Sequence, residues 1–383
     1  VTPDNPADDA PEHRRSPQPQ PPERGPWASP EQDGPPTAPR AAPRTPTGQE
    51  LNGFVADAVT APSLHNSQPW SFRADRDGGR LQVRADRTRA LPHVDPQGRG
   101  LHLAGGAALF NLRVAAARAG LEPSVTLLPD PDDPDLLAEV DFRTAPEPAD
   151  ADSARDDAEP AAYSERGELA DLHGALRRRH SSREPFDPEP VDAALRDGLR
   201  RAALLEGARL VFPDPGHNEM VLALSREAEL REEADPGRRA DLEHWLGDGR
   251  PADSGLPREA LGPRLRSGGA PVRDFEGPNA PADRPGAAFE TDPQLALLGT
   301  TGDEPGDWLR AGQALERVLL QATQDGIATS VASSALEWDA LRWAVRDPET
   351  DSGPVQMVIR LGYGPAGLPT ERRPVSDVLT VDG

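Results

Sequence analysis

The chain has 383 residues, a formal net charge of −23 and no cysteine. This length accommodates two lobes around sizeable cores, and the missing thiols exclude disulfides, thiolate nucleophiles, Cys-ligated zinc and iron–sulfur clusters. Without thiols any redox chemistry falls to a bound cofactor, and the acidic balance argues against nucleic acid or an anionic membrane face as partner.

Residues 1–48 carry 14 of the 45 prolines and almost no aliphatic side chains, so a disordered, proline-rich tail is expected. No stretch approaches the roughly 20 apolar residues of a membrane span, and the first thirty residues hold no apolar signal-peptide core; a cytoplasmic protein without a membrane partner is expected. From 51 to 59 apolar residues recur at helical spacing until Ala61-Pro62-Ser63 breaks the run. A polar loop, Leu64-His65-Asn66-Ser67-Gln68-Pro69-Trp70, leads into short strands at 71–73 and 81–83, joined through Asp77-Gly78-Gly79. Leu103, Ala107, Phe110, Val114 and Ala117 line one face of a helix ending at Gly120, and strands at 124–128 and 137–142 complete a first lobe, 49–145.

An acidic Ala/Pro-rich linker, 146–166, precedes a second lobe, 167–383. Its expected elements are helices at 168–178, 192–205, 216–233 and 307–325, and strands at 209–212, 294–298 and 355–361. The stretch 235–290 is rich in Gly, Pro and Arg with one helical fragment, the composition of a lid or binding loop.

Gly362-Tyr363-Gly364-Pro365-Ala366-Gly367 matches a dinucleotide fingerprint and follows a strand. That fingerprint needs a helix to begin at its glycines, and Pro365 and Pro369 preclude one. In Arg179-His180-Ser181-Ser182-Arg183, alternating Arg179, Ser181 and Arg183 suit a phosphomonoester, because guanidinium groups bind phosphate bidentately; a solvated basic helix end is the alternative. Asn66 and Gln68 either tie down a turn or pair with the donors and acceptors of a flavin edge.

Pro62-Ser63-Leu64-His65-Asn66-Ser67-Gln68-Pro69-Trp70 and Arg179-His180-Ser181-Ser182-Arg183-Glu184-Pro185-Phe186 resemble the two signatures of the nitroreductase superfamily, here in reversed order. Together with Gly106-Ala107-Ala108-Leu109-Phe110-Asn111-Leu112-Arg113, Arg273-Asp274-Phe275 and Trp308-Leu309-Arg310-Ala311-Gly312, they make residues 49–383 similar to the fused, Acg-like FMN-binding members. The resemblance implies an α+β, nitroreductase-like fold duplicated in one chain: a pseudo-dimer of mixed, mainly antiparallel sheets flanked by helices that serves as a monomer. It also implies one FMN per chain, NAD(P)H as candidate co-substrate and a small-molecule electron acceptor.

By this resemblance Arg179, Ser181 and Arg183 hold the FMN phosphate and ribityl chain, and Arg372 or Arg373 also reaches the phosphate. Ser63, Asn66 and Gln68 lie along the isoalloxazine, and His65 borders the cavity. The loop 329–334, which includes Ser330, supplies backbone amides near N5, and 235–290 covers the cofactor. A flavin-sequestering, stress-related protein whose lid blocks the second substrate is the alternative function. No second NxQPW string follows Arg183, so only one complete site is expected.

Overall fold

A computed structural model of the chain describes residues 45–75, 79–144, 165–276, 284–350 and 352–382. Most of the expected tail and linker, and residues 76–78 of the expected first turn, lie outside the described residues.

The first lobe runs α1 (Gly48–Ala58), β1 (Trp70–Asp75), β2 (Arg80–Ala85), α2 (Arg99–Arg118), β3 (Leu121–Leu127) and β4 (Leu136–Thr144). A capping box opens α1: Glu50 N donates to Thr47 Oγ1 at 3.2 Å and Thr47 N donates to Glu50 Oε2 at 2.8 Å. After a short helix, α3 (Glu165–Asp171), the second lobe comprises α4 (Ala193–Leu205), β5 (Arg209–Val211), α5 (Pro215–Ala234), α6 (Pro236–Trp245), β6 (Arg264–Ser267), β7 (Gly286–Ala288), β8 (Gln294–Gly299), α7 (Pro305–Gln324), β9 (Ala328–Ala332) and β10 (Val355–Gly362). The chain ends on β11 (Leu379–Asp382).

The two sheets repeat one topology. The first is ordered β11-β1-β2-β4-β3 and the second β5-β8-β10-β9, so helix–strand–strand–helix–strand–strand occurs twice with the same strand permutation. Neighbours in both sheets are antiparallel except β11, which lies parallel to β1 and returns the end of the chain to the first lobe's sheet. The expected α+β architecture, duplicated in one chain as mainly antiparallel sheets flanked by helices, is therefore present. Four positions, 76–79, separate β1 from β2, whereas between β5 and β8 the second lobe carries the insertion that contains α5, α6, β6 and β7.

Three expectations shift. The helix expected over 168–178 gives way after Asp171 to a 3-10 turn, Leu172–Ala175, whose Leu172 and Ala175 pack beneath α2. The expected loop at 329–334 begins as strand β9: Ala328–Ala332 pairs with fully buried β10, and only the turn at Ser333 leaves the ladder. Strand β11 was not anticipated, since four alternating residues after a proline-rich stretch carry little periodicity.

Helices α2 and α7 cross through reciprocal glycines. A Cβ on Gly106 would lie 2.2 Å from Leu309 O and 3.0 Å from Gly312 Cα; one on Gly312 would lie 2.1 Å from Leu103 O and 3.0 Å from Gly106 Cα. Leu103-x-x-Gly106 thus meets Leu309-x-x-Gly312 in a self-complementary contact, the form a twofold dimer interface takes. Each helix also roofs the core on its own sheet. No helix among the described residues is long and apolar enough to cross a membrane.

Gly106→Ala should destabilise the protein by about 1–3 kcal/mol, as overpacking against backbone does. Gly53→Ala, on the exposed face of α1 with nothing within 4 Å of the added carbon, should be neutral or stabilising by roughly 0.5–1 kcal/mol. Urea denaturation of the two variants measures both; equal effects would contradict the tight crossing.

Candidate functional site

A cavity of ≈310 Å³ opens where the lobes meet. It is walled by Ser63 and His65 from the first lobe, Ser181, Arg183 and Ser330 from the second, and Pro271, Arg273 and Phe275 from the insertion. These include five of the residues singled out in the sequence; Asn66, Gln68, Arg179, Arg372 and Arg373 stand behind the wall.

The polar loop is strained. His65, Asn66 and Gln68, none of them glycine, adopt left-handed backbone with φ of 52°, 55° and 52°. Each such residue costs on the order of 1 kcal/mol, so surrounding bonds must hold the loop. Ser63 Oγ accepts from Gln68 N at 2.9 Å, and Asn66 Nδ2 donates to Gly255 O at 2.9 Å and Glu371 O at 3.0 Å. Gln68 Nε2 donates to Asp253 O at 2.8 Å, and its Oε1 accepts from Arg373 N at 2.9 Å. Arg373 in turn donates to Trp70 O at 3.1 Å and pairs with Asp86. The two amide side chains thus sew the polar loop to the insertion and to the C-terminal segment.

This framework turns His65 into the cavity. Its Nε2 is buried without a hydrogen-bond partner, and its ring meets the Phe275 ring edge-on, with centroids 5.9 Å apart. Burial, reinforced by the Arg273 and Arg183 guanidiniums, holds its pKa well below the usual imidazole value, so the ring is neutral near pH 7.

The basic loop is anchored by a buried cation. Arg360, completely buried in β10, donates to Glu184 O at 3.0 Å and Glu290 Oε2 at 2.7 Å, and its guanidinium lies 3.7 Å from the Phe186 ring centroid. Gly362 and Gly364 leave room for Phe186, and a Cβ on Gly367 would lie 2.1 Å from Ser181 O. These glycines therefore permit close approach of the basic loop. Ser182 N donates to Thr329 O at 2.8 Å, fastening the loop along the free edge of β9.

Arg183 donates from Nη1 to Ala260 O at 2.9 Å and lies over Phe275. No carboxylate among the described residues pairs with it, and burial pushes its pKa down to about 10. Deeper in, Arg179 and Arg372 both donate to the Thr60 carbonyl, at 3.0 and 3.2 Å. Burial and neighbouring Arg179 push Arg372 down to about 9. Arg179 Nε, Ser182 Oγ, Arg372 Nε and both oxygens of Glu316 are buried there without hydrogen bonds. Sequence reasoning missed Thr60, whose contribution is backbone, and Glu316, which was visible as one acid on the apolar side of α7.

No protein-family model matches the chain. It is 30% identical over 348 residues to an uncharacterized Mycobacterium tuberculosis protein, Rv3127, covering 86% of this chain and 93% of the relative. A protein of the same organism provisionally named NAD(P)H nitroreductase acg is 30% identical over 341 residues, covering 88% of this chain and 96% of the relative. Among solved structures, the FMN and NADPH-dependent nitroreductase NfnB from Sphigopyxis sp. strain HMH aligns at 17% identity with a TM-score of 0.35, over 55% of this chain and 99% of its own. A Bacteroides fragilis nitroreductase with bound FMN aligns at 14% identity and a TM-score of 0.31, over 53% and 92%. With the duplicated topology and both signature loops in place, these full-length relatives show that the chain belongs to the nitroreductase superfamily, as an Acg-like member.

Proposed function

We propose that the protein is an FMN-binding oxidoreductase of nitroreductase type, carrying two electrons from NAD(P)H to a small-molecule acceptor in the cytoplasm. The observation that carries this reading is the Arg183 guanidinium, which lines the cavity beside Ser181 and Ser63 without a carboxylate partner among the described residues. Such a buried cation calls for an anionic or electron-rich ligand. The unpartnered donors Arg179 Nε, Arg372 Nε and Ser182 Oγ fit a phosphate at the deep end, and the unpartnered His65 Nε2 fits a polar ring edge.

Arg179, Ser181, Arg183 and Arg372 would hold the phosphate and ribityl chain, with Ser63, His65 and Ser330 along the ring. When bound, FMN supplies hydride acceptance and donation. The positive charge of buried Arg183 would also favour the reduced flavin, which carries more negative charge. Phe275, Pro271 and Val272 give the cavity an apolar wall, and neutral His65 offers Nε2 as a hydrogen-bond donor or acceptor, according to tautomer, rather than as a strong acid. Asn66, Gln68 and Arg373 set the geometry of the polar loop.

The broken symmetry of the repeat supports one FMN per chain. The polar loop occupies the eleven positions between α1 and β1, whereas only residues 206–208 separate α4 from β5. The second half thus has no counterpart of the polar loop, and a single chain with one site is the working unit.

One observation favours a flavin-sequestering function instead. The insertion is tied down over the cavity by Asn66 and Gln68 and by Asp241, whose carboxylate accepts from the backbone of His93 and Val94 at 2.8 and 3.0 Å. Anaerobic addition of NADPH or NADH separates the two: bleaching of the flavin band supports turnover, and an oxidised spectrum that persists supports sequestration.

Flavin released by heat should approach one equivalent per chain, and a ratio near two would overturn the single-site assignment. Arg183→Ala should weaken FMN binding by about 1.5–3 kcal/mol, the range for a hydrogen bond to a charged group. Fluorescence titration of stripped protein reads this loss, and unchanged affinity would remove Arg183 from the site.

A further inference from the structure

Helix α7 buries a carboxylate for which the site so far has no use. Glu316 is 0% exposed and stands four residues after Gly312; the same position after Gly106 in α2 is Phe110, a core residue. Its nearest cation is Arg179, with Nε 3.3 Å from Oε1, yet neither Nε nor either carboxylate oxygen makes a hydrogen bond. Asn111 lies beside it on α2 but gives its amide hydrogens to Thr60 Oγ1 at 3.1 Å and Asp57 O at 3.5 Å. Asn111 Oδ1 is left as a buried acceptor without a donor.

We propose that Glu316 is the proton-accepting counter-ion of the FMN phosphate: ionised against Arg179 and Arg372 in the empty site, and protonated when a phosphate dianion engages those guanidiniums. The inference rests on the FMN reading. A buried ion is held only by its partners, so a phosphate that draws the two arginines to itself leaves Glu316 beside a like charge in a medium of low dielectric. A proton from solvent removes that repulsion and gives the carboxyl an O–H to donate to Asn111 Oδ1. Burial already raises the Glu316 pKa, and Arg179, the neighbouring Asn111 amide and Arg372 oppose it.

Other charged groups stand around Glu316. His180, beside Arg179 and Arg372, is held below its usual value by burial and those two arginines. Asp57 is engaged by His173 at 2.9 Å and Arg177 at 3.0 Å, and Glu371 lies next to Arg372. Arg372 itself, at about 9, is almost wholly protonated at pH 7.5. The phosphate's second ionisation, at about 6, acts with the opposite sign, since an arginine site selects the dianion and releases a proton. A group whose pKa rises on binding takes up a proton, so affinity falls as pH rises between its free and bound values, by at most about tenfold per pH unit.

The test is calorimetric titration of flavin-stripped full-length protein with FMN and with riboflavin, at pH 7.5 in buffers of different ionisation enthalpy. Uptake approaching one proton with FMN, none with riboflavin, and none with FMN in Glu316→Gln is expected, while His180→Gln keeps the uptake. FMN affinity of the unaltered protein should also drop at least about tenfold from pH 6.5 to 8.5. FMN binding without uptake, or uptake that survives in Glu316→Gln, would overturn the proposal. The pH slope and the riboflavin control stand even if the variant fails to fold. Failure to bind either flavin would instead sink the FMN reading.

Discussion

The crossing of α2 and α7 is the constraint on which the rest of the structure hangs. Two backbones can approach to glycine contact only where neither helix carries a side chain, and Gly106 and Gly312 remove one from each at reciprocal positions. Because both helices roof the core of their own sheet, their contact fixes one lobe against the other. Ser63 and His65 then face Ser181 and Arg183 across one cavity, although more than a hundred residues separate them in the chain.

Around that fixed junction the site stores unfavourable features that the framework must offset. Three left-handed residues, an uncompensated guanidinium, a histidine kept neutral and a carboxylate without hydrogen bonds all gather within the two signature loops and α7. Other buried charges have carboxylate partners: Arg273 on the cavity wall pairs with Glu232 and Glu337, and Arg317 on α7 pairs with Glu168 and Glu206. Buried polar atoms left without partners are what the proposed ligand would complete.

Much of the architecture was legible because long amphipathic helices and apolar strands carry strong periodicity: α2, α7 and β10 fall within a few residues of their expected bounds. The start of α1 could have been read from Thr47 and Glu50, a capping box spelled out in the sequence. Strand β11 could not, because it exists only through its pairing with β1, a tertiary fact. At the site, residue types were readable but their aim was not. Asn66 and Gln68 offer the same amide chemistry to a backbone carbonyl as to a ligand, and the fold directs them to Gly255, Glu371 and Asp253. The glycines at 362, 364 and 367 imitate a nucleotide fingerprint, yet they answer to Phe186 and Ser181, whose proximity no local pattern encodes.

The self-complementary glycine contact has a consequence for how such a molecule can vary. In a symmetric dimer every substitution appears on both sides of the axis, so a change that improves one cradle alters the other as well. Joined in one chain, the halves meet at a concentration set by their connection rather than by expression level, and association no longer has to be won by the interface. Each half then changes independently. The long insertion on one side only, the polar loop on the other, and Phe110 facing its partner position as Glu316 are the marks of that independence. Symmetry would have made the two halves alike; in the linked chain the polar loop belongs to one half and the insertion to the other.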